Sequence, residues 1–399
     1  MNGPPVSYAT AETASSPGAQ YVRHGNLETA PADNCHTVRA PLEGRRAMVV
    51  CDQWIGSDGY AGMKALRRAG WDVHVVPEWE YVPVRWRSKA MKALGRVLRA
   101  SAEREFNREL LLQARRLDPE LLLVFKGRFI TPGTITALRA LGVRCYNFYP
   151  DVSFRAHGPH LPKVLPEYDW IFTTKSFGLT DMREQLGITN ASVMMFAFDP
   201  DLHQPMALSH RDHAVLDCDV SYIGTWSPKK EELLAEVIRR RPNVKVKVWG
   251  EQWWKATTHA QVLKDAIGGR EVTGAEFVKA LCASSINLSI MSEKRVGASK
   301  GDQVATRTFS VPACGAFVIH DRTDEVLELF REDEEIVCYS TVDELVEKID
   351  LYLADPERRR AIAERGQLAV RRRHSWDHRI QDILAFHQRV LSTHPDARA

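Results

Sequence analysis

The sequence has 399 residues, more than a single ordinary hydrophobic core holds, so two domains are expected. Apolar residues make up 44%, charged residues 26%, and the formal net charge is +3, which excludes a disordered chain and a bulk electrostatic fit to nucleic acid. Seven cysteines stand singly with no C-x-x-C, the pattern of reduced thiols in a cytoplasmic protein and not of a disulfide frame or zinc site.

Residues 1–45 contain many Ala, Pro, Ser, Gly and Asn, show no sustained period and lack the apolar core of a secretory signal, so a flexible tail is expected there. The run from Ala47 to Asp52 reads as a buried parallel strand, followed by Gly56, Gly59 and Gly62 and a helix from Met63 to Ala69 that Gly70 closes. Trp71 to Val76 is a second strand, and Lys89 to Arg116 a helix that ends at Asp118-Pro119. Further strands are expected at Leu121 to Phe125, Val143 to Phe148, Trp170 to Thr174 and near Val193, with a helix capped by Thr131-Pro132 and another reaching Leu186. Such alternation predicts a parallel sheet with helices on both faces over residues 46–205.

The stretch from Asp199 to Asp217 breaks the pattern and reads as a link. A second alternation, assigned to residues 206–375, starts at Asp219 to Gly224, and Ser227-Pro228 opens a helix to Arg240. Strands follow at Val244 to Val248, Ile286 to Ile290, Phe317 to Ile319 and Ile336 to Tyr339. Ser340 with Asp343 resembles a capping box for a helix to Ala354, Asp355-Pro356 starts another, and Ser375 caps a last one within residues 376–399. The expected fold class is α/β, two Rossmann-like doubly wound domains facing across a cleft. No segment approaches the roughly 18 consecutive apolar residues of a membrane span.

Strand-to-helix loops are where such sheets bind ligands. Gly56, Gly59 and Gly62 follow a strand, but their spacing is not that of a dinucleotide or P-loop fingerprint. That loop equally suits phosphate contact or close approach of an acceptor, and Asp58 within it reads as a turn or cap residue before a base. The segment from Lys300 to Gly315 is a polar loop entering a short helix, where free N–H groups would hold a diphosphate with Lys300 and Arg307 as countercharges. The basic stretch from Arg85 through Lys89, Lys92, Arg96 and Arg99 reads first as a solvated helix face, second as a contact for an anionic acceptor or a membrane surface.

The run Arg307-Thr308-Phe309-Ser310-Val311-Pro312-Ala313-Cys314-Gly315, with Asp321-Arg322-Thr323, Trp249-Gly250 and His374 to Arg379, resembles the CgeB-like (spore-maturation-protein) glycosyltransferases. The likeness is strongest over residues 215 to 385 and looser before them, where Tyr149-Pro150-Asp151 fits. It implies a GT-B fold, a nucleotide-sugar as co-substrate in the C-terminal half, a small-molecule or glycan acceptor mainly in the N-terminal half, a final helix crossing back, and neither metal nor cofactor. By resemblance the donor contacts are Gly224, Thr225, Trp249, Gly250, Arg307, Thr308 and Ser310, with Lys300 and Asp302 added, and Gly56, Asp58 and Gly59 form the acceptor-side loop. Family members commonly carry Glu where this chain has Ser310, and relatives with an E-x7-E pattern place that glutamate on the donor ribose; a serine hydroxyl makes no two-oxygen, charge-assisted contact. Asp151 is the expected base, with His157 as fallback, and the anomeric outcome stays open. Two competing functions are a nucleotide-sugar 2-epimerase, which calls for more acidic groups around the sugar, and a non-catalytic interaction protein of the same family.

Overall fold

The first half of the chain alternates strand and helix because short β-branched and aromatic runs are punctuated by glycine and proline. In the computed structural model these become β1 (Arg46–Val50), α1 (Asp58–Arg68), β2 (Asp72–Val75), α2 (Glu78–Tyr81), α3 (Lys89–Leu117), β3 (Leu121–Phe125), α4 (Pro132–Ala140), β4 (Arg144–Tyr149), α5 (Leu161–Val164), β5 (Trp170–Thr173), α6 (Ser176–Leu186) and β6 (Ala191–Val193). The structure describes residues 44–81, 89–158 and 160–393, all within one compact unit. The expected tail up to residue 43, and residues 85–88 of the basic stretch, lie outside the described residues.

All six strands pair in parallel in the order β2-β1-β3-β4-β5-β6. Alternate residues of β1 serve opposite faces: Met48 and Val50 join one core, Ala47 and Val49 the other. The chain leaves β1 to one side for β2 and to the other for β3, so the crevice at their carboxyl ends is the switch point of this sheet.

Helix α1 begins five residues earlier than the glycine pattern suggested, with Ser57 as N-cap accepting from the Tyr60 N–H at 3.1 Å. Gly59 and Gly62 are therefore helical and serve packing: a Cβ at Gly59 would lie 2.4 Å from Cys51 Cβ, and one at Gly62 2.5 Å from Phe125 Cζ. Only Gly56 keeps a loop role, at φ +102°.

The second half supplies α7 (His210–Leu216), β7 (Cys218–Ile223), α8 (Pro228–Arg240), β8 (Val246–Trp249), α9 (Ala260–Leu263), α10 (Gly274–Cys282), β9 (Ser284–Ser289), α11 (Thr306–Ala313), β10 (Val318–Asp321), α12 (Asp324–Leu329), β11 (Val337–Tyr339), α13 (Val342–Ala354), α14 (Pro356–Arg373) and α15 (Trp376–Thr393). Its parallel sheet runs β11-β10-β9-β7-β8, with the switch point between β7 and β9. The expected link is not wholly irregular, because Ser209 and Asp212 form a capping box that starts α7. The cap of α13 is shifted by one residue from expectation: Thr341, not Ser340, accepts from the Glu344 N–H at 3.1 Å, since Ser340 is still paired with Glu344 through its own N–H.

Helix α15 packs on the first lobe, burying Trp376, Ile380 and Ile383 among Ala47, Val49, Ala61 and Phe172. Beside the crossing, the Phe198 N–H donates to the His374 carbonyl at 2.9 Å, and the Trp376 N–H donates to the Phe198 carbonyl at 3.0 Å. The buried Arg379 guanidinium donates to the carbonyls of Met195, Phe196 and Arg373, so both chain crossings are tied by one side chain.

Gly59→Ala is expected to lower stability by about 1–3 kcal/mol, because the added methyl overpacks the β1–α1 contact. A shift of the urea midpoint at unchanged slope measures it.

Candidate functional site

The two switch points face each other across a cavity of about 500 Å³. Its first wall comes from the β1–α1 loop (Asp52, Trp54, Gly56, Ser57, Asp58, Gly59) and from Phe125 and Lys126 after β3. Its second wall comes from Ile223, Gly224 and Thr225 after β7, Gly250 and Glu251 after β8, Glu271 to Gly274 before α10, and Thr306, Arg307 and Ser310 of α11. The amino ends of α1, α10 and α11 thus converge on one space, each presenting N–H groups with no intrahelical partner and the positive end of a helix dipole.

Arg307 stitches the second switch point. Its guanidinium donates to the Ile223 carbonyl and to the Ile290 carbonyl, each at 3.0 Å, so it closes the gap where β7 and β9 diverge. It also lies over the Tyr222 ring at 5.0 Å, and its buried Nε has no partner. Gly224 fits closely beneath it, since a Cβ there would sit 2.6 Å from the Tyr222 hydroxyl and 2.7 Å from the guanidinium. Gly250, at φ +136°, would place a Cβ 2.2 Å from the Gly224 carbonyl oxygen. Two glycines and an arginine therefore form one close-packed floor.

A second cation stands behind that floor. Lys230, buried in the first turn of α8, donates to the Thr225 carbonyl at 3.1 Å. Burial and then the nearby Arg307 charge push its pKa down to about 8. The buried Lys230 and the half-buried Arg307 are neighbouring cations and favour an anion between the lobes. On the same wall the Ser310 hydroxyl is fully buried and has no hydrogen-bond partner, which is costly unless a ligand supplies one.

On the first wall Asp58 occupies the first turn of α1, partly buried. Burial pushes its carboxyl up to about 7, against the lowering pull of the Trp376 side chain and the Lys175 ammonium, with the Asp151 charge adding to the rise. A carboxyl that titrates near neutrality, on the wall of a cleft, is poised to take a proton.

The expected base is placed differently. Asp151 and His157 do not line the cavity. The Asp151 carboxylate lies 2.5 Å from the Lys126 ammonium and 3.1 Å from His157 Nε2. Although burial opposes ionisation, these partners hold it well below the usual carboxylate range, so it is a fixed anion and a poor base.

Four expected donor contacts also lie elsewhere. Trp249 is buried in the core of the second lobe, against Gly268. The Thr308 hydroxyl accepts from the Ala305 N–H at 3.0 Å and pairs with His320 Nε2 at 2.8 Å, so it caps α11 from inside. Lys300 is exposed and outside the cavity lining. Asp302 makes a nearly fully buried ion pair with Lys175 of the first lobe at 2.5 Å. It belongs to a strap between β9 and α11 whose Val296 and Gly297 carbonyls accept from Ser153 and Gln185, and whose Ser299 N–H donates to Asp181 at 2.9 Å. That loop joins the lobes. Gly56, Asp58, Gly59, Gly224, Thr225, Gly250, Arg307 and Ser310 do line the cavity.

Sequence reasoning passed over Trp54, Lys126, His203, Lys230 and the Glu271 to Gly274 segment. The paired lysines at the head of a helix that follows a strand were a legible sign for Lys230. His203 is held neutral, burial pushing it down to about 4, and its Nδ1 accepts from the Asp199 N–H at 2.9 Å.

Residues 229–385 match the family model described as glycosyl transferase-like. The whole fold is similar to that of sucrose-phosphate synthase from Thermosynechococcus elongatus, with TM-score 0.62 and 12% identity over 88% of this chain and 100% of that one. It is also similar to AviGT4, a glycosyltransferase involved in avilamycin A biosynthesis, with TM-score 0.57 and 15% identity over 88% and 98% of the two chains. Anabaena HepE, solved with UDP and glucose, gives TM-score 0.57 and 12% identity over 86% and 99%. Comparison with curated proteins finds no match. At these identities the likeness is one of fold, and the fold is GT-B, two Rossmann-like lobes across a cleft. Its C-terminal lobe carries the glycosyltransferase-like family match. No helix among the described residues is long and apolar enough to cross a membrane.

Asp302→Ala is expected to destabilise the protein by about 3–5 kcal/mol, because it strands a buried ammonium, while Lys175→Met with Asp302→Leu restores most of the loss. Chemical denaturation of both variants measures this. A raised carboxyl pKa means that the folded state binds more protons than the unfolded one between about pH 4 and 7, so stability falls as pH rises through that window. Asp58→Asn removes that fall: its thermal midpoint relative to the parent is expected to be higher at pH 8 than at pH 5.

Proposed function

We propose that this chain is a CgeB-like glycosyltransferase of the cytoplasm, metal-independent, moving a sugar from a nucleotide-sugar donor to a hydroxyl of a small-molecule or glycan acceptor. The observation that carries the reading is the pair of opposed switch points, with the amino ends of α10 and α11 and Arg307 on one wall, Lys230 behind it, and Asp58 on the other wall. The glycosyl transferase-like match over residues 229–385 supports the same lobe as the donor side.

The donor diphosphate sits at the amino ends of α10 and α11, where the N–H groups and the two cations favour the charge that grows on the leaving group. Gly224 and Gly250, lacking side chains, let the phosphates approach the backbone. Ser310 offers its unpartnered hydroxyl to the donor, in the place where relatives carry a carboxylate. From the opposite wall Asp58 takes the proton of the acceptor hydroxyl. The acceptor oxygen then forms its bond to the anomeric carbon as the bond to the diphosphate oxygen breaks, giving the glycoside and a free nucleoside diphosphate. A single displacement with one base inverts the anomeric centre. Asp151, fixed as an anion beside Lys126, keeps the Asp58 proton affinity high.

Calorimetric titration with UDP, GDP and dTDP is expected to show binding of at least one. Ser310→Ala should weaken that nucleotide severalfold, since a buried hydroxyl contact is worth about 1 kcal/mol. Asp58→Asn should keep nucleotide affinity and lower sugar transfer by about a hundredfold or more, the parental rate rising with pH through about 7. Absence of any nucleotide binding, conversion of the donor to its epimer without acceptor, or full activity of Asp58→Asn would each overturn the reading.

A further inference from the structure

The two walls of the cleft differ in texture. The donor-side wall carries two helix amino ends, Arg307 and, behind them, Lys230, along with Glu251 and Glu271. The facing wall carries the carboxylates of Asp52 and Asp58, and its one cation among the described residues, Lys126, is committed to Asp151, 2.5 Å away and outside the cavity. A ligand ammonium that approached this wall would meet the Asp52 carboxylate, and the one side-chain cation there is already paired.

The same wall carries a large aromatic side chain in an unusual state. Trp54 lines the cavity yet remains 53% exposed. The loop that holds it is firmly built: the Ser57 N–H donates to the Trp54 carbonyl at 3.1 Å, and the Ser57 hydroxyl donates to the Asp52 carbonyl at 2.9 Å. Gly56 sits beneath the indole at φ +102°, where a Cβ would lie 3.2 Å from Trp54 Cζ3. Ile55, also exposed, lies over Gly274 of the other lobe and closes the loop against it. An indole kept in water by a rigid turn, in a cleft, is a surface awaiting a ring. Its face attracts the C–H face of a sugar and, more strongly, a cation.

We infer that the acceptor is a polyhydroxylated ring compound carrying a protonated amino group, seated on the Trp54 indole with its ammonium toward Asp52 and its reacting hydroxyl toward Asp58. A phosphorylated acceptor, whether a soluble sugar phosphate or a phospholipid headgroup, would place its charge against Asp52 and binds more weakly. This rests on the glycosyl-transfer reading and names its second substrate by class.

The test uses the full chain saturated with whichever nucleoside diphosphate binds, titrated with glucosamine, glucose and glucose 6-phosphate and followed by ligand-observed NMR. Glucosamine is expected to bind about threefold or more tightly than glucose, and glucose 6-phosphate more weakly than either. Asp52→Asn should erase the glucosamine advantage. Trp54→Ala should weaken glucosamine and glucose alike by about threefold or more, with Trp54→Phe recovering part of the loss and nucleotide affinity, which also reports folding, held within about twofold. Preference for glucose 6-phosphate, no binding of any of the three, or a glucosamine advantage that survives Asp52→Asn would overturn the inference. Failure of the nucleotide to bind, read before any sugar is added, would instead strike the donor reading.

Discussion

The contact on which the rest of the site depends is the Arg307 guanidinium spanning the carbonyls of Ile223 and Ile290. Where β7 and β9 diverge, the two strand ends leave carbonyls that neither strand satisfies, and an arginine with its planar fork of donors meets both at once. That bridge fixes the amino end of α11 against β7, leaves little room for a side chain at Gly224, whose carbonyl in turn excludes one at Gly250, and orients the floor on which an anion would rest. The arginine is thus structural and electrostatic together. Its positive charge remains at the cavity wall because its partners are neutral carbonyls and not carboxylates, which distinguishes it from Lys126, whose charge Asp151 neutralises.

The opposite wall is assembled from distant parts of the chain. Asp58 owes its position to the cap at Ser57 and its high proton affinity to burial, which outweighs the lowering hydrogen bond from the Trp376 side chain. Helix α15, which begins at Trp376, therefore reaches the acidic group as well as covering the first sheet. Asp151 completes the arrangement from a third loop, since a permanent anion nearby makes a second negative charge on Asp58 harder to form. Of the two carboxylates, the one held firmly by cations is the worse base.

The alternation of strands and helices was legible because each strand is a short apolar run closed by glycine, proline or a capping residue, and local chemistry decides that. Strand order was not legible, since which strands neighbour each other depends on packing between residues far apart in sequence. Hence Arg307 was identified from its motif, while the reason for its place, the β7–β9 gap, needed the fold. The same cause explains why Asp302 stands away from this cavity. Its segment has the composition of a phosphate loop, but Lys175 and Asp181, from the other lobe, claim it as a strap. Trp249 misled for the complementary reason: position at a strand end does not say which side of the sheet the indole takes, and here it is the core side.

The strap and the chain crossings bear on how the cleft works. On one side the lobes are tied by the buried Lys175–Asp302 pair and the contacts of residues 296–299 with α6 and its surroundings. On the other they are tied by Arg379, which holds the carbonyls around both crossings, and by Lys64 on Asp199. The β1–α1 loop reaches over to Gly274 between those ties. Wide opening would have to expose the Lys175 ammonium and Asp302 together, and each would regain water as it parted, so the pair resists motion chiefly through the packing and hydrogen bonds around it. In the proposed reaction the free energy of a bound diphosphate would then be available for orientation in an already assembled site, with Asp58 and the donor's leaving group at opposite walls of a space about 500 Å³ in volume.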